Sequence, residues 1–187
     1  MKNSKFEFAK SEGFVAITYM ILSGFCFVIM HAAVKYISEE IHPFEIAFFR
    51  CAFVIVILSP MIFYLGKSIL ITKNPKLQIY RIGLNSIALL CFFYGLSQIN
   101  LAETTALGFT VPIFTTIFSV LFLKEIIKIR RITALIIGFI GTLIVLRPDV
   151  TIEIGSLMVI LSSLLWSVCL IIIKRLTITD SVYTISL

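Results

Sequence analysis

The stretch IHPFEIAFFRCAFVIVIL (41–58) is apolar almost throughout, yet it holds Glu45 and Arg50. An arginine at the centre of a bilayer costs roughly 2.5–3.5 kcal/mol on insertion scales. Glu45 lies within a turn of Pro43, where negative charge suits the start of a helix. Arg50 is seven residues past Pro43, about 10 Å deeper along a helix. The hydrocarbon layer is about 30 Å thick, so Arg50 sits off-centre within it. Five residues apart on a helix is about 140° around it, so the two charges do not pair well. Each needs water, another helix or a ligand. In one reading Arg50 faces a water-filled cavity and binds an anionic group such as a carboxylate; in the other it is anchored to backbone carbonyls or to the outer surface.

Further polar side chains interrupt the other apolar runs. In 102–123, Thr104, Thr105, Gly108, Pro112, Thr115, Thr116 and Ser119 fall within an arc of about 120° on a continuous helix, while Thr110 points away. Pro112 lacks an amide proton and frees the Gly108 carbonyl. The arc suits either close helix packing or the lining of a cavity. Cys91, Tyr94 and Gln98 share a face, and Tyr94 and Gln98 could hold a polar solute or simply sit at the outer interface. His31 and Lys35 are one turn apart. Lys35 can snorkel outward, and His31 is either a neutral hydrogen bonder, a proton-sensitive group or a substrate contact. Ser163, Trp166 and Ser167 either line a cavity or pack. Together these residues offer hydrogen bonding and charge recognition, the chemistry of solute binding. Catalysis has no support: the sequence shows no metal-ligand spacing, no nucleophile–base pair and no G-x-x-x-x-G-K-[ST] loop for ATP. No cofactor or metal site is expected, and the chain reads as a non-enzyme.

The elements that hold these residues are long apolar runs. Of 187 residues 59% are hydrophobic and 14% charged, with a mean hydropathy of +1.08. Soluble domains carry about 25% charged residues, so the composition is that of an integral membrane protein. A membrane-spanning helix needs about 20 mostly apolar residues. Six runs qualify, near Gly13–Ile37, Phe44–Leu65, Tyr80–Ile99, Ala102–Leu123, Ile132–Leu146 and Gly155–Ile173, of which the fifth is short. The predicted fold class is an all-α membrane protein with six transmembrane helices. Cys26, Cys51, Cys91 and Cys169 lie within these runs and read as small buried thiols. Ala134, Gly138 and Gly141 form a strip suited to close helix contact.

The net charge of +6 does not point to nucleic acid, because the basic residues fall in short loops. Thirteen of the sixteen lie on one side: Lys2, Lys5 and Lys10; Lys67, Lys73, Lys76 and Arg81; Lys124, Lys128, Arg130 and Arg131; Lys174 and Arg175. Glu39, Glu40, Glu103, Asp149 and Glu153 lie on the other. The positive-inside rule then places the N-terminus in the cytoplasm of a multi-pass inner (plasma) membrane protein. Glu45 and Glu103 both lie near helix ends, which gives little sign of proton coupling.

Residues 19–38 and 158–177 align at an offset of 139, matching Ile21/Ile160, Leu22/Leu161, Ser23/Ser162 and Lys35/Lys174. A five-helix unit repeated once must invert, and inverted repeats are a common plan of secondary transporters. HPFEIAFFR (42–50), YGLSQINLAETTALGFTVPIFTTIFSVLFLKE (94–125), RITALIIGFIGTLIVLRP (131–148) and LLW (164–166) resemble the EamA-type carriers of the drug/metabolite transporter superfamily. The first of these, with YLGKSILITKNP (64–75), is most similar to the S-adenosylmethionine-uptake branch.

The resemblance implies ten helices in two inverted repeats. It divides the chain into a cytoplasmic tail (1–12), a first five-helix repeat (13–150) and the start of a second (151–187), truncated after its sixth helix. The expected function is secondary transport of a small polar metabolite, S-adenosylmethionine or an amino-acid-like solute, by alternating access. Arg50, His31, Tyr94, Gln98, Thr105, Gly108, Thr115 and Trp166 are the candidate substrate-binding residues. The alternative is a non-transporting remnant or a half-carrier needing a homodimer or a complementary chain. The lipid bilayer and a small-molecule solute are the remaining expected partners.

Overall fold

The computed structural model describes residues 2–65, 72–146, 153–181 and 184–185, and among them the regular structure is all helical. Helices α1 (Lys2–Ile37), α2 (Pro43–Leu65), α3 (Pro75–Gln98), α4 (Leu101–Gly108), α5 (Thr110–Leu123), α6 (Ile129–Leu146) and α7 (Ile154–Leu176) follow in order. Five segments are long and apolar enough to cross a membrane, α4 and α5 together forming one of them, and the apolar part of α6 is shorter. The expected runs therefore fall on helices within a few residues. Residues 66–71, with Lys67, and 147–152, with Arg147 and Asp149, lie outside the described residues.

Two compact units emerge. The first is α1 alone, whose 36 residues are about 54 Å long, well beyond the hydrocarbon thickness. The expected tail 1–12 continues this helix from Lys2. The second unit holds α2 to α7.

Local chemistry sets the helix limits in the second unit. Pro43 and Pro75 stand at helix starts, where a missing amide proton costs nothing. The Phe44 amide donates to His42 Nδ1 (3.3 Å) and the Glu45 amide to the His42 carbonyl (2.9 Å), so His42 caps α2. The expected single helix over 102–123 is broken at Phe109, where the chain turns out of the helix register. Pro112 supplies the cause: it cannot donate to the Gly108 carbonyl, and its ring crowds the turn before it. The polar arc predicted for one straight helix is therefore split between two. Helix α5 ends on Lys124 in the left-handed region (φ 52°).

Helix α7 forms the centre of this unit, packed on α3, α5 and α4, while α2 lies on α3, and α6 on α4 and α5. Gly95 meets Gly155 and Val159 at one end, and the Cys169 thiol donates to the Arg81 carbonyl at the other (3.8 Å). Helices α3 and α7 are thus antiparallel. The Ser156–Glu103 and Arg175–Phe122 contacts make α7 parallel to α4 and α5. These are the relative directions that alternating membrane passes require.

Ala88, Leu89, Phe92, Phe93 and Leu96 of α3 are buried, as are Val159 and several serines of α7, and these two helices pack most extensively on one another. Ser162 and Ser167 donate to carbonyls of their own helix, Val159 and Leu164 (both 2.7 Å). Among the described residues the glycines of the strip expected on α6 have no close helix neighbour. A Cβ added at Gly138 or Gly141 would meet nothing within 4 Å, and Ala134 is exposed. Cys169 is buried as expected and Cys91 half-buried, but Cys26 and Cys51 are exposed.

The basic residues gather at one end of the second unit. Lys174 pairs with Glu125, and Arg175 donates to the Phe122 carbonyl (3.0 Å). The Thr72 hydroxyl donates to Asp180 Oδ2 and the Lys73 amide to Oδ1 (3.0 Å), fastening the segment after α7 to the start of α3. These donors, Thr72 first, hold the Asp180 carboxyl below the usual aspartate range. The clasp is therefore complete above the ordinary value of about 3.9 and is lost as pH falls through the lowered one. Lys73 amide exchange, corrected for its intrinsic rate, should lose protection over that acid range, and at every pH in Asp180→Ala.

Candidate functional site

At the end opposite the basic cluster, the C-terminus of α3 and the turn before α2 enclose an open cleft of about 350 Å³. Two of the expected binding residues, Tyr94 and Gln98, line it together with Ser97 from α3. They share it with Ser38, Glu39, Glu40, Ile41, His42 and Pro43. The separation of four residues between Tyr94 and Gln98 puts both on the face that meets this turn. Because His42 Nδ1 accepts the Phe44 amide proton, a neutral His42 carries its hydrogen on Nε2. The cleft combines a phenol, a carboxamide, hydroxyls and two carboxylates. That set can hydrogen-bond a polar solute and attract positive charge.

Arg50 is half-buried on α2, with its guanidinium carbon 5.6 Å from the centroid of the Phe93 ring. This is cation–π distance. Among the described residues Arg50 makes no ion pair, and Glu45 is exposed. Phe93 shields the face of the guanidinium but takes none of its N–H donors, so the group keeps its capacity for a bidentate anion.

The remaining expected residues lie elsewhere. Thr105 donates to the Leu101 carbonyl (2.6 Å), so its hydroxyl is committed to its own helix. Gly108 adjoins open space. The adjacent Leu107 carbonyl accepts from Ser163 on α7 at 3.5 Å, nearly one turn before half-buried Trp166. Thr115 differs from its neighbours on the arc: its hydroxyl is buried and, among the described residues, has no hydrogen-bond partner. Buried polar atoms are rarely left so. His31 belongs to the α1 unit, half-buried, with its ring edge-on to Phe27 at 6.0 Å. Within the second unit the cleft brings Tyr94 and Gln98 together, while Arg50, Thr105, Gly108, Thr115 and Trp166 are not among the residues that line it.

Sequence reasoning missed Glu39, Glu40, His42 and Ser97, and it undervalued Glu103. Glu103 sits in the first turn of α4, near a helix end as expected. Yet it is only 5% exposed, and it is the one buried charged residue among those described. The start of α7 covers it, and the Ser156 hydroxyl donates to its Oε1 at 2.7 Å. Only the coincidence of Gly155–Ser156 with the third residue of α4 could have announced this, and that is a tertiary fact. Removing the donor in Ser156→Ala should destabilise the fold by about 1–3 kcal/mol. In a double-mutant cycle with Glu103→Gln the losses should not add, as read from thermal unfolding in detergent.

Comparison with known proteins bears directly on this arrangement. Residues 14–147 match the model of the EamA-like transporter family. The chain belongs to that family. This EamA-like chain is 39% identical over 114 residues to an S-adenosylmethionine uptake transporter of Rickettsia bellii, covering 61% of the chain and 39% of the relative. A Rickettsia prowazekii protein of the same description is 33% identical over 150 residues, covering 79% and 50%. Solute carrier family 35 member G1 of Mus musculus is 27% identical over 135 residues, covering 72% and 36%. The EamA-like chain thus spans half or less of the length of these relatives. No solved structure matches it. It is a multi-pass membrane protein of a transporter family.

Proposed function

We propose that the chain forms part of a secondary transporter that moves a small polar metabolite by alternating access, with S-adenosylmethionine or an amino-acid-like solute as substrate. Membership of the EamA-like family over residues 14–147 carries this reading. The uptake relatives at 33–39% identity support the substrate. S-adenosylmethionine bears a sulfonium, an amino acid and an adenine. The carboxylates and Tyr94 of the cleft suit the cation and the ring, and Arg50 suits the carboxylate.

On this reading Tyr94 and Gln98 hold the solute at the acidic mouth. Arg50 binds its anionic group, and Thr105, Gly108, Thr115 and Trp166 line the path. The unbonded Thr115 hydroxyl favours such a role. The basic end faces the cytoplasm of the inner membrane, and α7 opens the second of two inverted repeats.

Uptake of labelled S-adenosylmethionine into proteoliposomes, with unlabelled amino acids and nucleosides as competitors, tests the proposal. Saturable, competed uptake supports it, whereas uptake equal to empty liposomes rejects it for this chain alone. A second reading, a half-carrier needing a homodimer or complementary chain, is favoured by the coverage of half or less of the relatives. Uptake that appears only when residues matching a relative's second half are co-expressed would select it.

A further inference from the structure

At the basic end, α5 and α6 diverge around a groove of about 520 Å³. Ile113, Ile117, Val120, Ile132 and Leu135 form its walls, and Ile126 and Ile127 of the connecting segment close its end. The lining is overwhelmingly apolar, and its volume falls within the range of ligand-binding clefts. The connecting residues 124–128 are not helical, and Ile126 is 97% exposed between Lys124 and Lys128. An isoleucine so exposed next to two lysines belongs at a bilayer surface, where its side chain can enter the acyl region while the amines stay wet.

Charge identifies the occupant. The one carboxylate on the groove, Glu125, is already paired with Lys174. Arg175 is spent on the Phe122 carbonyl. Lys124 and Lys128 flank the lining residues Glu125, Ile126 and Ile127, and Arg130 lies two residues before Ile132; all three are exposed, and none of them forms an ion pair among the described residues. An apolar trough in the hydrocarbon layer that ends in three unneutralised cations matches a phospholipid with a negative headgroup. Basic pockets between membrane helices on the cytoplasmic side bind such lipids.

We propose that this groove is a binding site for an anionic phospholipid. One acyl chain lies along Ile113, Ile117, Val120 and Leu135, and the phosphate is held by Lys124, Lys128 and Arg130. A zwitterionic lipid fits the trough but brings a choline or ethanolamine cation to the rim. The site therefore discriminates by headgroup charge, with the acyl chain adding affinity.

The test is lipid retention by the intact chain, purified from bilayers of phosphatidylcholine and phosphatidylglycerol and examined by native mass spectrometry. The wild type should retain phosphatidylglycerol over phosphatidylcholine by at least roughly tenfold, because each basic residue near the surface adds to the attraction for an anionic headgroup. Lys124→Gln/Lys128→Gln/Arg130→Gln should bring the ratio close to parity. Ile117→Trp fills the trough and leaves the charges in place; it should lower retention of both lipids. Equal preference in the triple variant and the wild type would overturn the proposal. So would unchanged retention in Ile117→Trp, or a lipid-free dimer cross-linked through Ile117→Cys, which would assign the groove to a second copy.

Discussion

Gly95→Leu should leave α3 and α7 unable to close on one another. A Cβ at Gly95 would stand 2.5 Å from Val159 Cγ2 and 2.8 Å from the Gly155 carbonyl oxygen, well inside contact distance. The first neighbour is a branched side chain and the second is backbone, so neither can yield cheaply. Overpacking of a dense core typically costs about 1–3 kcal/mol per offending group, and more where backbone must move. Since α7 is also the packing partner of α4 and α5, the damage spreads beyond one seam. Gly95→Ala should lose about 3 kcal/mol and Gly95→Leu should fail to yield a monodisperse species in detergent. Adding Val159→Ala should recover only part of the Gly95→Ala loss, because the Gly155 carbonyl remains in the way. Wild-type melting of Gly95→Leu would show that the two helices are not so closely packed.

Arg50→Leu should have the largest effect on solute handling. Its guanidinium is shielded on one face by Phe93 and paired with no carboxylate among the described residues. A charge-assisted hydrogen bond contributes about 1.5–3 kcal/mol, so KM for an acidic solute should rise roughly 10- to 100-fold. Maximal velocity should change much less, and Arg50→Lys should recover part of the affinity but not bidentate binding. The protein itself should be no less stable, because the substitution removes a charge from the apolar layer. Uptake kinetics in proteoliposomes and in a full-length relative provide the measurement, beside a melting curve. Unchanged KM for an acidic solute would reassign Arg50 to anchoring against Phe93.

Most of the helical plan was legible because a bilayer rewards uninterrupted apolar length. The runs near Phe44–Leu65 and Ile132–Leu146 end on the same residues as α2 and α6, and even the short fifth run was recognised as short. The break at Phe109 could be read in part: Pro112 announced a freed Gly108 carbonyl but not that the axis would divide there. The binding residues were harder. That Tyr94 and Gln98 share a face followed from their spacing, which is a property of one helix; whether they bind a solute is part of the proposal. Glu39, Glu40 and His42 join them only because a turn distant in sequence folds over the end of α3. The burial of Glu103 was not read for the related reason that position along its own helix says nothing about what another helix lays over it. The strip Ala134–Gly138–Gly141 erred in the opposite direction, since small residues permit close approach without supplying a partner.

The glycine contact between α3 and α7 lies at the very start of α7, not at its middle. Gly95 and Gly155 put no side chain of their own between the two backbones there, so a rotation of α7 about that point would have the rest of the helix as its lever arm. From Gly155 to Arg175 the arm is about 30 Å long, so a tilt of about 10° would swing the basic tip by about 5 Å. Such a swing exceeds the reach of the Lys174–Glu125 pair and of the Asp180 clasp, while hardly moving the cleft beside Gln98.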